Sequence, residues 1–285
     1  MKLLIKPNLD KAGAAQCAEK VCLLVQEFGM IPLMEEQLFP HFSHCKGIHF
    51  GSPREIYPET DICIAIGGDG TILHAAKCMI PDIKPVLGIN MGRLGFLATL
   101  ERNQLQLLSK LSEGNYQLEQ RMLLEIIYTS NGTDQTFLAL NDAVVSKAEM
   151  AKIVDIQVCC GERLVGNYRA DGIILATPTG TTAYALSAGG PIMDPSIDGI
   201  SMTPICPHSL FSRTIVFSGD SVIQIRPLIP DQKLFVTIDG EEGGPFRYGD
   251  LLTVKRSTRQ IPLINLTGNQ FYEVLNNKLL RRAYE

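Results

Sequence analysis

The sequence predicts an α/β domain built on a parallel sheet, then an all-β domain of sandwich type, then a helical tail returning to the first domain. Three observations carry this. Over residues 1–100, short and continuously apolar strands alternate with helix-patterned segments, the signature of a parallel sheet covered on both faces. After a helical segment near 102–112, β-rich segments follow one another with turn residues between them. In the last stretch, NQFYEVLNNKLLRRAYE, the spacing of Tyr272, Leu275 and Leu279 is helical again. The expected division is 1–100 plus a tail from about 266 to 285, and 101–265.

The elements read in order. KLLIK is a short apolar strand, and 14–29 has apolar residues at helical spacing and stops at Gly29. IPLME and DICIAIG are strands, TILHAAKCM a helix and PVLGIN a strand. In such sheets ligands bind at the carboxyl ends of the strands, which places 67–71 and 90–95 there. In the second domain MLLEIIYTS and TDQTFLAL flank Asn131-Gly132, a strong hairpin signal. KIVDIQVCC, GIILATP, TIVFS, SVIQIRPL, KLFVTIDG and DLLTVKR complete the β pattern.

With 285 residues, 45% of them hydrophobic and 20% charged, the chain has material for packed cores. A net charge of −4 argues against a sequence-independent grip on nucleic acid, though not against an anionic nucleotide. No stretch reaches the ~20 apolar residues of a membrane span. The start, MKLLIKPNLDKAGAAQ, lacks the pattern of a signal peptide, and the eight cysteines show no CxxC spacing. A cytoplasmic protein with reduced thiols is expected.

The stretch DICIAIGGDGTILHAA carries the first chemical question. A glycine loop between strand and helix offers backbone N–H groups to an anion. Gly67, Gly68 and Gly70 permit positive φ and close approach of a ligand to the main chain. Yet the loop's one charge, Asp69, is negative, and no Walker lysine or GxGxxG spacing accompanies it. If the amides hold phosphate, the acid must serve otherwise, by accepting a proton from an attacking hydroxyl or by helping to hold Mg²⁺. A tight turn with Asp69 as helix cap is the alternative. The hydroxyl-rich Pro178-Thr179-Gly180-Thr181-Thr182, followed by AYALS and a glycine pair, suits the sugar, amide and phosphate parts of a nucleotide.

These stretches together resemble NAD kinase. The resemblance rests on GGDGT (67–71), GINMGRLGFLA (88–98), LND (140–142), DGIILATPTGTTAYALSAGGPI (171–192) and PHSL (207–210), and spans nearly the whole chain. It implies phosphorylation of the 2'-hydroxyl of the adenosine ribose of NAD, giving NADP, with ATP and a divalent cation, Mg²⁺ or Mn²⁺. By match to the motifs, Asp69 is the implied proton acceptor and Gly70 part of the NAD contact. Asn141 and Asp142 fall on the adenosine part. Asp171 and the turn Thr182, Ala183, Tyr184, Ala185, Leu186 and Ser187 fall on the rest of the dinucleotide. His74, Lys152 and Arg169 stand where the family carries polar or basic contacts, some of them across a subunit interface, so a homodimer or homotetramer is implied. Asp142 replaces the more usual Glu and Thr181 the more usual Ser. Glu241, in place of Gln, is not carried over.

Each of these residues has a plainer reading. A lone helix histidine such as His74 is often structural, Lys152 and Arg169 read as solvated charges, and Asp171 as half of a salt bridge. His41, His44, Cys45 and His49 invite zinc but lack finger spacing; a surface loop without metal is expected there. Two other functions compete: a lipid or sugar kinase with the same glycine loop, and a non-catalytic NAD(P) sensor.

Overall fold

The computed structural model describes residues 1–92, 95–149, 152–209, 212–268 and 271–280. Two compact units emerge: Met1–Gln120 with Ile261–Glu285, and Arg121–Gln260.

In the first unit the strands are β1 (Lys2–Pro7), β2 (Ile31–Glu35), β3 (His49–Gly51), β4 (Ile62–Gly67), β5 (Val86–Asn90) and the short β6 (Leu100–Glu101). Helices α1 (Ala14–Glu27), α2 (Phe39–Phe42), α3 (Pro53–Glu59) and α4 (Asp69–Met79) connect them. The strand order β3-β2-β1-β4-β5 is parallel throughout. Every residue of β4 and β5 is buried, as a sheet covered on both faces requires. Leu87 and Ile89 pack in the core that holds Val21 and Val25 of α1. Ile72 of α4 lies against Gly88, whose place in the alternation is the opposite face.

The boundary expected at residue 100 falls instead at 120. Leu105, Leu108 and Leu111 pack in the same core as α1, so the segment after β6 belongs to the first unit. It forms a 3₁₀ turn, Leu105–Leu108, and one α turn, α5 (Ser109–Ser112), rather than a continuous helix. Four short elements went unpredicted: α2, β3, α3 and β6. β3 is only three residues long, and α3 contains Pro58. A local signal for α3 existed: Ser52 donates to the Glu55 carboxylate from both its hydroxyl (2.8 Å) and its amide (3.0 Å), with Pro53 at the first helical position.

The second unit is a sandwich. One sheet contains β7 (Gln117–Ser130), β8 (Thr133–Ala139), β10 (Val154–Cys160), β11 (Arg163–Ala170), β15 (Ile223–Pro227) and the first part of β18 (Leu251–Asn265). The other is antiparallel, β14-β13-β12-β9-β16-β17, from β9 (Asp142–Lys147), β12 (Gly172–Ala176), β13 (Gly199–Ile205), β14 (Ile215–Ser218), β16 (Leu234–Ile238) and β17 (Glu241–Phe246). Ile126, Ile156 and Val254 of the first sheet share a core with Val145, Ile173 and Val236 of the second. Asn131 and Gly132 both take positive φ (50° and 75°) in the two-residue turn between β7 and β8. β13 was not legible in sequence because Pro204 interrupts it. Pro204 lies beyond Met202, where pairing with β14 ends, so its missing N–H breaks no bond on that side. β18 runs on past the second unit, and its Leu263 pairs in parallel with Val86 of β5.

Candidate active site

The chain leaves β1 toward β2 and β3, then returns to place β4 on the other side of β1. The carboxyl ends of β1 and β4 are therefore a topological switch point, where α/β sheets bind ligands. Asn8 follows β1 and the glycine loop follows β4; Asn8 Nδ2 donates to Thr71 Oγ1 at 3.2 Å across them. A crevice of about 370 Å³ opens there, lined by Asn8, Gln37, Gly70, Thr71 and His74. Its floor is a closed polar set. Glu35, 6% exposed, pairs with Lys6 and accepts from Tyr57 Oη (2.6 Å) and Gln37 Nε2 (2.6 Å). Burial pushes Glu35 up, but the hydrogen bonds from Lys6 and Tyr57 outweigh it and hold the carboxyl below its ordinary range. Lys6 is thus committed to Glu35.

The loop's glycines have two different reasons. A Cβ at Gly67 would overlap the Thr71 side chain. At Gly68 and Gly70 a Cβ would meet nothing within 4 Å among the described residues, so no packing against them demands glycine. Close approach of a ligand to the main chain would. None of the three takes positive φ, so the left-handed freedom they offer is not used.

Asp69 opens α4 but does not cap it. Its carboxylate accepts the amides of Phe96 (Oδ2, 2.9 Å) and Leu97 (Oδ1, 3.1 Å), from the segment after β5, and Lys278 Nζ stands 3.5 Å from Oδ2. A Cβ at Gly95 would overlap Oδ1, so glycine there makes room for the carboxylate. Arg93 and Leu94 of the 88–98 motif lie outside the described residues, as does Leu210 of PHSL. His74 approaches Cys78 Sγ at 3.9 Å and lines the crevice.

In the second unit three turns converge. Asp239, in the Asp239-Gly240 turn between β16 and β17, accepts the amides of Leu140 (2.9 Å), Asn141 (2.8 Å) and Asp142 (3.0 Å). Thr177 donates its hydroxyl to the Leu140 carbonyl (2.5 Å) and its amide to that of Asn141 (2.9 Å). Gly180 packs directly on the Asn141 backbone, where a Cβ would clash. The two strongest motifs of this half are thereby locked together, and Asp239 and Thr177 are the residues sequence reasoning missed. The Asp-Gly pair was the available signal, though it announced only a turn.

Asp142 is 5% exposed, and among the described residues no hydrogen bond reaches its carboxyl. Burial, then the charge of Asp239, pushes it up to about 7. A buried carboxyl without a partner is costly, and such groups mark ligand contacts. The shift has a stability consequence. Between its unfolded pKa and about 7 the folded state binds the extra proton, so stability is greatest below the unfolded pKa and falls as pH rises through 7. Thermal unfolding should show a parent that loses stability from pH 6 to 8 and an Asp142→Asn variant with a flatter profile. Identical slopes would remove the assignment.

The remaining expected residues are placed less tightly. Ala185 is fully buried, so it offers a ligand no side chain; its carbonyl accepts from Gly190 (2.8 Å). Thr182 donates to the Thr179 carbonyl (3.1 Å), within the 3₁₀ turn Thr179–Thr182. Ala183 joins that turn to α6 (Tyr184–Ser187), on which Tyr184 is exposed and Leu186 half-buried. Asp171 pairs with Lys147 at 2.7 Å, the salt bridge that was its plainer reading. Lys152 is exposed beside Glu149 (3.1 Å). Arg169 lines a separate hollow with Tyr168 and Arg213. The 40–50 stretch is not one loop: it includes most of α2 and the start of β3. In it His44 and Cys45 meet Glu19 of α1, with ligand atoms all within 4.8 Å, a grouping that could take a metal ion away from the crevice.

The ATP-NAD kinase N-terminal domain model matches residues 3–116, and the ATP-NAD kinase C-terminal domain model residues 140–266. A protein named NAD kinase from Caldanaerobacter subterraneus subsp. tengcongensis is 38% identical over 99% of both chains. Another of that name, from Symbiobacterium thermophilum, is 44% identical over 78% of this chain and 79% of its own length. Among solved structures, yeast NADH kinase complexed with NADH matches with a TM-score of 0.91 at 24% identity, covering 99% of this chain and 87% of that one. An NAD kinase from Archaeoglobus fulgidus in complex with ATP matches at 0.74 and 22%, covering 97% and 98%. These two likenesses establish the fold.

Proposed function

The chain belongs to the ATP-NAD kinase family, and from that premise we propose that it transfers the γ-phosphoryl group of ATP to the 2'-hydroxyl of the adenosine ribose of NAD. The observation that carries this reading is the division of chemistry between the units. The first presents a carboxylate at a phosphate-type glycine loop; the second presents, on a rigid turn, a buried carboxyl that no hydrogen bond reaches among the described residues. In the reaction the hydroxyl oxygen bonds to the γ-phosphorus, the bond to ADP breaks, and Asp69 receives the hydroxyl proton. Two lone pairs of Asp69 are taken by Phe96 and Leu97, and the others remain available. Asn141 and Asp142 take the adenosine part of NAD, and the 182–187 turn takes the rest. The crevice beside Gly70 and Thr71 takes the donor nucleotide.

A divalent cation arriving on the triphosphate would keep most of its waters and stay on the phosphates, facing the Thr71 hydroxyl in the crevice and leaving Asp69 to take the proton. Mg²⁺ or Mn²⁺ so bound supplies charge neutralisation at the transferred group. Exhaustive chelation should abolish turnover and Mg²⁺ restore it; full activity in chelator would refute the requirement.

All eight cysteines are free thiols, which supports a reducing, cytoplasmic setting. No helix among the described residues is long and apolar enough to cross a membrane. We take the assembly to be a homodimer or homotetramer. Arg169 stands on β11, which pairs only with β10 among the described residues and so leaves a sheet edge open. Light scattering at assay concentration checks this, and a fully active monomer refutes it. The kinase reading is tested with purified protein, ATP, Mg²⁺ and either NAD or NADH, scored for 2'-phosphorylated product. Absence of product with both acceptors would overturn it.

A further inference from the structure

We infer that Lys278, from the C-terminal tail, is the cation that meets the transferring phosphoryl group beside Asp69. The inference rests on the kinase reading. Phosphate cradles ordinarily place a lysine near their glycines, and the loop 67–71 has none. Lys6, in the adjoining crevice, is held by Glu35. The charge comes from the other end of the chain.

The placement is specific. Phe271, on the helix Phe271–Leu275, sets its ring against that of Phe96, with centroids 6.2 Å apart. The next turn brings Lys278 Nζ to 4.1 Å from the centroid of the Phe96 ring and 3.5 Å from Asp69 Oδ2. Phe96 therefore orients both charges: its amide holds Oδ2 of Asp69, and its ring face lies under the ammonium. At 3.5 Å the pair is within ionic range but longer than a hydrogen bond, so Asp69 does not saturate the three donors of the ammonium. The Lys278 side chain is 29% exposed, so its field is less screened than that of a surface lysine.

This arrangement fits the needs of the step. When the hydroxyl attacks and ADP leaves, negative charge spreads over the equatorial oxygens of the phosphoryl group while the proton goes to Asp69. An ammonium on the nucleophile's side compensates both the phosphoryl oxygens and the carboxylate that would otherwise repel them.

The test uses the full chain with Lys278→Met and Lys278→Arg, assayed with ATP, Mg²⁺ and NAD. NAD affinity and thermal unfolding are measured on the same preparations. Met should lower kcat on the order of 100-fold with NAD affinity and Tm little changed, and Arg should retain most of the rate. If the Met variant keeps kcat within about threefold of an active parent, the inference is overturned while the kinase reading stands. Equal losses in Met and Arg accompanied by a lowered Tm mean a structural strap, which also overturns it. A parent that forms no phosphorylated dinucleotide overturns the kinase reading and the inference together.

Discussion

Asp69→Asn is expected to lower kcat by roughly 10²–10⁴-fold, with NAD affinity within a few-fold of the parent. A ribose hydroxyl is a poor nucleophile near neutral pH, and the substitution removes the group that takes its proton. The structure adds a complication that side-chain size alone would hide. The carboxylate accepts from both Phe96 and Leu97, whereas an amide has one oxygen, so one of those N–H groups would face an NH₂. A stability loss of about 1–3 kcal/mol should accompany the rate loss. Gly95→Ala separates the two effects. It leaves the carboxylate chemically intact but pushes it aside, since the new methyl would overlap Oδ1. If position matters as well as charge, this variant is also slow. Steady-state kinetics with direct NAD binding decides. Weakened NAD binding with kcat preserved would make Asp69 a ligand anchor, and no change in either would reduce the loop to a turn.

Asp239→Ala is expected to be the most damaging change in the second unit, destabilising by about 3–5 kcal/mol and raising KM for NAD. Three amides of the Leu140–Asp142 turn lose one charged acceptor together, and alanine must also adopt φ 51°. Asp239→Asn is the informative partner. It keeps an acceptor and tolerates positive φ, so it should cost less. It also removes the charge that contributes to the raised pKa of Asp142, so the variant's stability should fall less steeply across neutral pH. Urea unfolding at pH 6 and pH 8 reads both effects. An Asp239→Ala protein as stable as the parent would show that the turn does not depend on this clamp.

Much of this molecule was readable from local pattern. The short apolar strands β1, β2, β4 and β5, the helix α1, the Asn131-Gly132 hairpin and the glycine loop all lie within a residue or two of their expected places. Periodicity and turn chemistry act over a few residues, so a linear string displays them. What depends on distant packing was hidden: the membership of the Leu105–Ser112 segment in the first unit, decided by the core it shares with α1, and β13, interrupted by Pro204 in a place where no bond to β14 is lost.

The candidate site divides along the same line. The residue types needed for phosphoryl transfer to a nucleotide were present in the motifs: a carboxylate among glycines, an Asn-Asp pair and a hydroxyl-rich turn. Their partners were decided only by tertiary structure. Asp69 accepts amides from the far side of β5 and faces a lysine from the tail; Asp142 owes its environment to a turn that reads in sequence as a simple hairpin. Hydrogen bonds and ion pairs act through space over a few ångströms, and nothing in the order of residues states which distant segment the fold brings within that range.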